Sequence, residues 1–188
     1  HWRNSETLFR HALVHTQNNI IAHNNLGVAL VALGSRGEAE HQFREALRIE
    51  PDSLNANVCL GGLLCKAGRV SEGVPYLQRA AQMDPENFGA QLNLGSALWS
   101  VSRYEEAVPY FERALEIDPQ FGQAHFNLAV ALRHLGRPGE AIASLRQALA
   151  IAPGHADANV LLGRIQPGFF PAVFGPGQDE RLDASGVR

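Results

Sequence analysis

Apolar residues recur along this chain at spacings of three, four and seven, and the recurrence itself repeats every 34 residues. Leu26, Leu60, Leu94 and Leu128 stand in one column, and Gly27, Gly61, Gly95 and Ala129 follow them directly. Leu30, Leu64, Leu98 and Leu132 form the next column. Gly34, Gly68, Ser102 and Gly136 then mark a break. Beyond it come Ala39, Gly73, Ala107 and Ala141, then Phe43, Leu77, Phe111 and Leu145, then Ala46, Ala80, Ala114 and Ala148. Pro51, Pro85, Pro119 and Pro153 close the units. The spacing within a unit is the helix period. A left-handed residue in the Gly column ends a first helix, and the Pro column ends a second and fixes the turn beyond it. The pattern predicts first helices over 20–33, 54–67, 88–101 and 122–135, and second helices over 37–49, 71–83, 105–117 and 139–151. A period this long implies stacked supersecondary units, in which each helix pair shields its apolar side with the next.

The ends follow the same register. Residues 2–17 match the second half of a unit, with Trp2, Ser5, Phe9, Ala12 and Leu13 falling where Tyr104, Ala107, Phe111, Ala114 and Leu115 fall. Residues 1–19 therefore read as the second helix of a truncated unit, and the chain is expected to be part of a longer protein. Full units follow at 20–53, 54–87, 88–121 and 122–155. Residues 156–166 repeat a first helix, with Leu162 and Gly163 in their columns, and read as a capping half repeat. From Pro167 to Arg188 the composition turns to Pro and Gly, which excludes a helix. Two readings of this tail stay open. One is a disordered end, and the other is docking of Phe169, Phe170 and Phe174 on the last helix or in the groove.

The small columns predict close packing. Gly27, Gly61, Gly95 and Ala129 are expected to face Ala39, Gly73, Ala107 and Ala141, so that a large residue there overpacks. Glu38, Glu72, Glu106 and Glu140 open the second helices, and Arg44, Arg79, Arg113 and Arg146 lie toward their other ends, an arrangement that suits the helix dipole.

Composition narrows the function. Sixteen Lys and Arg against 19 Asp and Glu give a net charge of −3, without the basic stripe of a nucleic-acid binder. Charged residues are 19% of the chain, below the roughly 25% of soluble domains, which leaves apolar outward surface for contact. No apolar run is long enough to cross a membrane. Cys59 and Cys65 fall on different faces of one helix, which disfavours a disulfide, and two thiols make no zinc site. Cysteine usage leaves the compartment open. His23 and His125 share a column at the edge of the first helix, and neither has a second ligand four residues on. No nucleophile elbow, phosphate loop or paired Cys/His set appears. The expectation is therefore a non-enzymatic chain with no catalytic residue, no metal site and no cofactor.

The helix–turn–helix unit of 34 residues, with its Leu-Gly, Ala, Phe, Ala and Pro columns, resembles the tetratricopeptide repeat (TPR) across residues 20–153. The resemblance implies an all-α fold, a right-handed superhelical solenoid of antiparallel helix pairs, and a protein or peptide partner held on its concave face. First helices line that face in a stacked array, so their columns outside the core are the candidates. One reads Asn25, Cys59, Asn93 and Asn127, and another Asn24, Val58, Leu92 and Phe126. Val28, Gly62, Ser96 and Val130 form a third, and Val31, Cys65, Trp99 and Arg133 a fourth. An Asn amide offers a carbonyl and an NH₂. A row of them satisfies the backbone of an extended peptide without reading its sequence, or else bonds the neighbouring helix. The Asn column resembles the asparagine ladder of O-linked N-acetylglucosamine transferase, and Cys59 interrupts it. The stretch from Trp2 to Leu13 resembles the start of the repeats in transmembrane-and-TPR O-mannosyltransferases. Two functions are therefore expected. One is a scaffold binding an extended peptide, and the alternative is an acceptor-presenting region of a larger glycosyltransferase whose catalytic part lies elsewhere. Self-association through the truncated N-terminal end is a third expectation. TPRs that grip the acidic tails of heat-shock chaperones carry Lys and Arg in the columns that here hold Asn24, Val58, Leu92, Phe126 and Val28, Gly62, Ser96, Val130, so no such clamp is expected.

Overall fold

A computed structural model describes residues 2–16 and 18–166. Among these residues there are ten helices and no strand: α1 Trp2–His15, α2 Ile20–Ala32, α3 Arg36–Ile49, α4 Leu54–Lys66, α5 Val70–Met83, α6 Phe88–Ser100, α7 Tyr104–Ile117, α8 Gly122–His134, α9 Pro138–Ile151 and α10 Ala156–Ile165. Each first helix of a full unit ends one residue earlier than expected, and each second helix begins one residue earlier. Phe169, Phe170 and Phe174, and with them both readings of the tail, lie outside the described residues.

The described residues form two compact units, which divide between Ile117 and Asp118. In the first, each of α1 to α7 packs on the next, and α4 also touches α2 and α6. In the second, α8 packs on α9 and α9 on α10. The repeated Leu, Phe and Ala columns are the core. Phe43, Leu77, Phe111 and Leu145 are each 1% exposed or less. Phe9 and Leu13 of α1 pack on the core formed by α2 to α4 and are only half-buried.

In two of the helix pairs the close approach differs from the one expected. A Cβ on Gly27 would lie 2.5 Å from the Phe43 ring, and one on Gly95 would lie 2.9 Å from the Phe111 ring. The first-helix glycine thus receives the aromatic column, four residues beyond the Ala column. Helical side chains lean back toward the N-terminus, which carries the ring across to the glycine. In the repeat over 54–87 two small residues meet directly, where a Cβ on Gly73 would lie 2.7 Å from the Gly61 carbonyl and 2.5 Å from Cys65 Sγ.

The break column adopts the left-handed region, with φ of +83° at Gly34, +81° at Gly68, 62° at Ser102 and +71° at Gly136. A side chain in that region costs roughly 1–2 kcal/mol. Ser102→Gly is accordingly expected to stabilise the fold by about 1 kcal/mol, read as a raised denaturation midpoint with an unchanged slope. An unchanged midpoint would show that the turn at residue 102 carries no strain.

Each Pro turn is pinned by a side chain six residues later. Asn57 Nδ2 donates to the Pro51 carbonyl at 3.0 Å, Gln91 Nε2 to that of Pro85 at 3.0 Å, and Asn159 Nδ2 to that of Pro153 at 3.0 Å. His125 Nε2 lies 3.1 Å from the Pro119 carbonyl and completes the column. His23, in the same column, pairs instead with Gln42 at 2.8 Å. Asn57 and Gln91 are buried, so these bonds satisfy side-chain amides that would otherwise lack a partner.

Within residues 1–117, Arg side chains pair with Glu and Asp of the preceding or following repeat. Arg10 bonds Glu38 at 2.6 Å, Arg69 bonds Glu40 at 2.7 Å, Arg79 bonds Asp52 at 2.5 Å, and Arg113 pairs with Glu86. The Glu column noted above is also held locally, Glu72 by Arg69, Glu106 by Arg103 and Glu140 by Arg137. Arg69, backed by Arg44, holds the Glu40 carboxyl below the usual carboxylate range. These pairs are mostly exposed, where each adds roughly 1 kcal/mol or less.

Candidate functional site

In the first unit the face built by α2, α4 and α6 carries eight of the eleven candidate residues. These helices lie side by side because α4 touches both α2 and α6. The contact is close: a Cβ on Gly62 of α4 would lie 3.3 Å from Asn93 Nδ2 of α6, and one on Gly89 of α6 would lie 3.6 Å from Val58. The Asn93 amide thus rests over a helix surface that bears no side chain.

The candidates divide by what they already do. Asn24 Nδ2 donates to Ser53 Oγ at 3.4 Å, at the start of the next first helix. Val58, Cys59 and Leu92 are half-buried, and Cys59 packs against the core. Burial pushes the Cys59 and Cys65 thiols up, so both stay protonated at neutral pH. Asn25 is exposed and Asn93 half-buried, and neither makes a side-chain hydrogen bond within the described residues. Ser96 and Trp99 are half-buried on α6. Among the described residues, the buried side-chain atoms without a hydrogen-bond partner are Asn24 Oδ1 and Trp99 Nε1, both from the candidate set. Ile21, Val28 and Val31 are 73%, 40% and 42% exposed, and they spread along α2 beside Asn24 and Asn25.

In the second unit α8 carries the remaining three. The Phe126 ring stacks on His155, with centroids 4.8 Å apart. Asn127 Oδ1 accepts a bond from Gln123 at 2.9 Å. Arg133 is exposed in the last turn of α8. Val130, which falls in the third column by register, is 9% exposed and belongs to the core of this unit.

The residues that sequence reasoning missed are Asn57, Gln91 and Asn159. They sit one position before the candidate columns and look equally polar, yet the Pro turns absorb them. Their signal is positional: a hydrogen-bonding side chain six residues after each repeat proline.

Among the described residues, no three His, Cys, Asp or Glu side chains gather as a metal group. No helix of the described residues is long and apolar enough to cross a membrane.

Comparison with known proteins places this architecture. Two curated proteins share short stretches with the chain. An uncharacterized protein of Schizosaccharomyces pombe, C11D3.15, is 56% identical over 32 residues, or 17% of this chain. The 5-oxoprolinase of Saccharomyces cerevisiae is 63% identical over 27 residues, or 14% of this chain. Each stretch is shorter than one 34-residue unit and spans 2% of the relative's own length. Solved structures match over most of the chain. The crystal structure of YrrB, described as a TPR protein with an unusual peptide-binding site, is 25% identical, with a TM-score of 0.72 over 84% of this chain and 81% of its own. A crystal structure of MamA is 20% identical, with a TM-score of 0.73 over 83% of this chain and 91% of its own. MamA AMB-1 is 25% identical, with a TM-score of 0.73 over 81% and 90%. The tetratricopeptide repeat family pattern matches residues 24–88, 60–121 and 92–156. The fold is that of a protein–protein interaction scaffold, and the chain belongs to the tetratricopeptide repeat family.

Proposed function

We propose that the face of α2, α4 and α6 holds an extended peptide or partner segment. One observation carries this reading. The polar column at Asn57 and Gln91 is spent on the Pro turns, whereas the amides of Asn25 and Asn93, two positions further along their own helices, have no partner within the described residues. An amide that serves no turn and no helix is matched to a main chain, since it offers both a donor and an acceptor. The exposed Ile21, Val28 and Val31 beside it supply apolar contact. The description of YrrB as a peptide binder supports the same reading.

The partner segment is predicted to be largely uncharged, because the columns from α2, α4 and α6 hold no cation or carboxylate among Asn24, Asn25, Val58, Cys59, Leu92, Asn93, Ser96 and Trp99. No binding of acidic C-terminal tails of the chaperone type is expected. Phe126, Asn127 and Arg133 are proposed as contacts of the second unit alone. The glycosyltransferase reading and self-association through α1 are supported by no observation of this kind.

The test is a screen of unbiased peptides followed by substitution. Asn25→Ala with Asn93→Ala is expected to weaken the selected peptide by about tenfold to a hundredfold, at about 1 kcal/mol per lost hydrogen bond. The melting temperature should not move. A lower melting temperature with intact binding would assign the amides to the scaffold and contradict the proposal.

A further inference from the structure

We propose that His11 and His15 chelate a divalent transition ion of the copper or zinc type on the exposed side of α1. The two residues stand four apart, on successive turns of one helix. Their Nε2 atoms are 3.2 Å apart. The ring centroids are 4.4 Å apart, with planes at 54°. Both side chains are exposed. An ion bound to imidazole at about 2.0–2.1 Å holds two nitrogens about 2.9 Å apart at a right angle and about 3.3 Å apart at the tetrahedral angle. The two nitrogens share a hydrogen bond at this separation, which lies between those limits, so an ion that replaces the shared proton needs only a small turn of the rings to meet both. Each neutral imidazole then keeps its proton on Nδ1 and turns the Nε2 lone pair to the ion. Imidazole ligands suit copper and zinc.

The repeat itself does not account for this pair. In the column of His11 the other units place Glu45, Arg79, Arg113 and Gln147, and Arg79 and Arg113 bond acidic residues of a neighbouring turn. In the column of His15 they place Ile49, Met83, Ile117 and Ile151. Both scaffold roles are given up on α1, at adjacent turns of one face. Among the described residues no third His, Cys, Asp or Glu joins the pair. Water completes the coordination, and the site is one of reversible uptake rather than a closed structural centre.

The test titrates the whole chain with copper sulfate and with zinc chloride, by calorimetry and, for copper, by electron paramagnetic resonance. The expected result is about one ion per chain at micromolar affinity, with nitrogen hyperfine structure from two imidazoles. His15→Ala and, separately, His11→Gln should each weaken binding at least tenfold, while His41→Ala leaves it unchanged. Circular dichroism checks that each variant keeps its helices, and the second variant decides the matter if the first unfolds. Placing the histidine one residue on, His15→Ala with Thr16→His, turns it by about 100° around the axis and should not restore the site. Undiminished binding by either single variant, or full binding by the shifted one, would overturn the proposal.

Discussion

Phe111→Ala is expected to cost about 3–5 kcal/mol, the largest loss from any single substitution named here. Phe111 is fully buried, and its ring lies where a Cβ on Gly95 would come within 2.9 Å. Removing the ring leaves a void between α6 and α7 that the backbones cannot close, because Gly95 contributes no side chain to fill it. Dispersion contacts are lost on both walls along with the transfer term. The measurement is chemical denaturation followed by helix content, with the slope recorded, because repeat arrays lose cooperativity when one interface weakens. Gly95→Ala introduced beside Phe111→Ala should restore part of the loss. A cost under about 1 kcal/mol would mean that the pair of helices does not depend on the aromatic column.

Gly73→Ala is expected to destabilise by about 2 kcal/mol, although the substitution normally favours a helix. Two effects compete. Alanine gains about 1 kcal/mol over glycine in a helix interior. Overpacking costs about 1–3 kcal/mol, and more where the obstacle is backbone. Here the new Cβ would stand 2.7 Å from the Gly61 carbonyl and 2.5 Å from Cys65 Sγ. The sulfur can turn aside, but the carbonyl belongs to a helix, so α4 and α5 must separate. Gly139→Ala is the control, since nothing lies within 4 Å of a Cβ there. It should be neutral or stabilising. Equal signs at the two positions would show that the Gly61–Gly73 approach is not a constraint.

The architecture was legible because its causes are local and repeated. Leu26, Leu60, Leu94 and Leu128 report the helix period, and the Gly and Pro columns report the two turns. Ser102 could be placed in the left-handed column only by register, since serine does not announce that conformation. The turn pins were hidden for a chemical reason: Asn, Gln and His perform one task, so the column at Asn57, Gln91, His125 and Asn159 does not look like a column.

The candidate face was half legible. The sequence places Asn24 and Phe126 in one column but does not show that each meets a residue 29 positions on, Ser53 and His155. That offset joins a first helix to the start of the next, a contact set by stacking rather than by the helix period. Asn127 is likewise engaged, by Gln123 one turn earlier. Asn25 and Asn93 have no partner for their amides among the described residues, which is why the proposal narrows to the first unit. No repeating column announces His11 and His15, which stand where the other repeats have Glu, Arg or Gln and Ile or Met.

A photo-crosslinking amino acid placed in turn at residues 25, 93, 82 and 112, with the peptide selected by the screen as target, reports which helices carry the partner. Asn25 and Asn93 lie on α2 and α6, whereas Gln82 and Glu112 are exposed on α5 and α7. Crosslinks from 25 and 93, with none from 82 and 112, are the predicted result. Crosslinks from 82 and 112 with none from 25 and 93 would place the partner on the second helices and contradict the account.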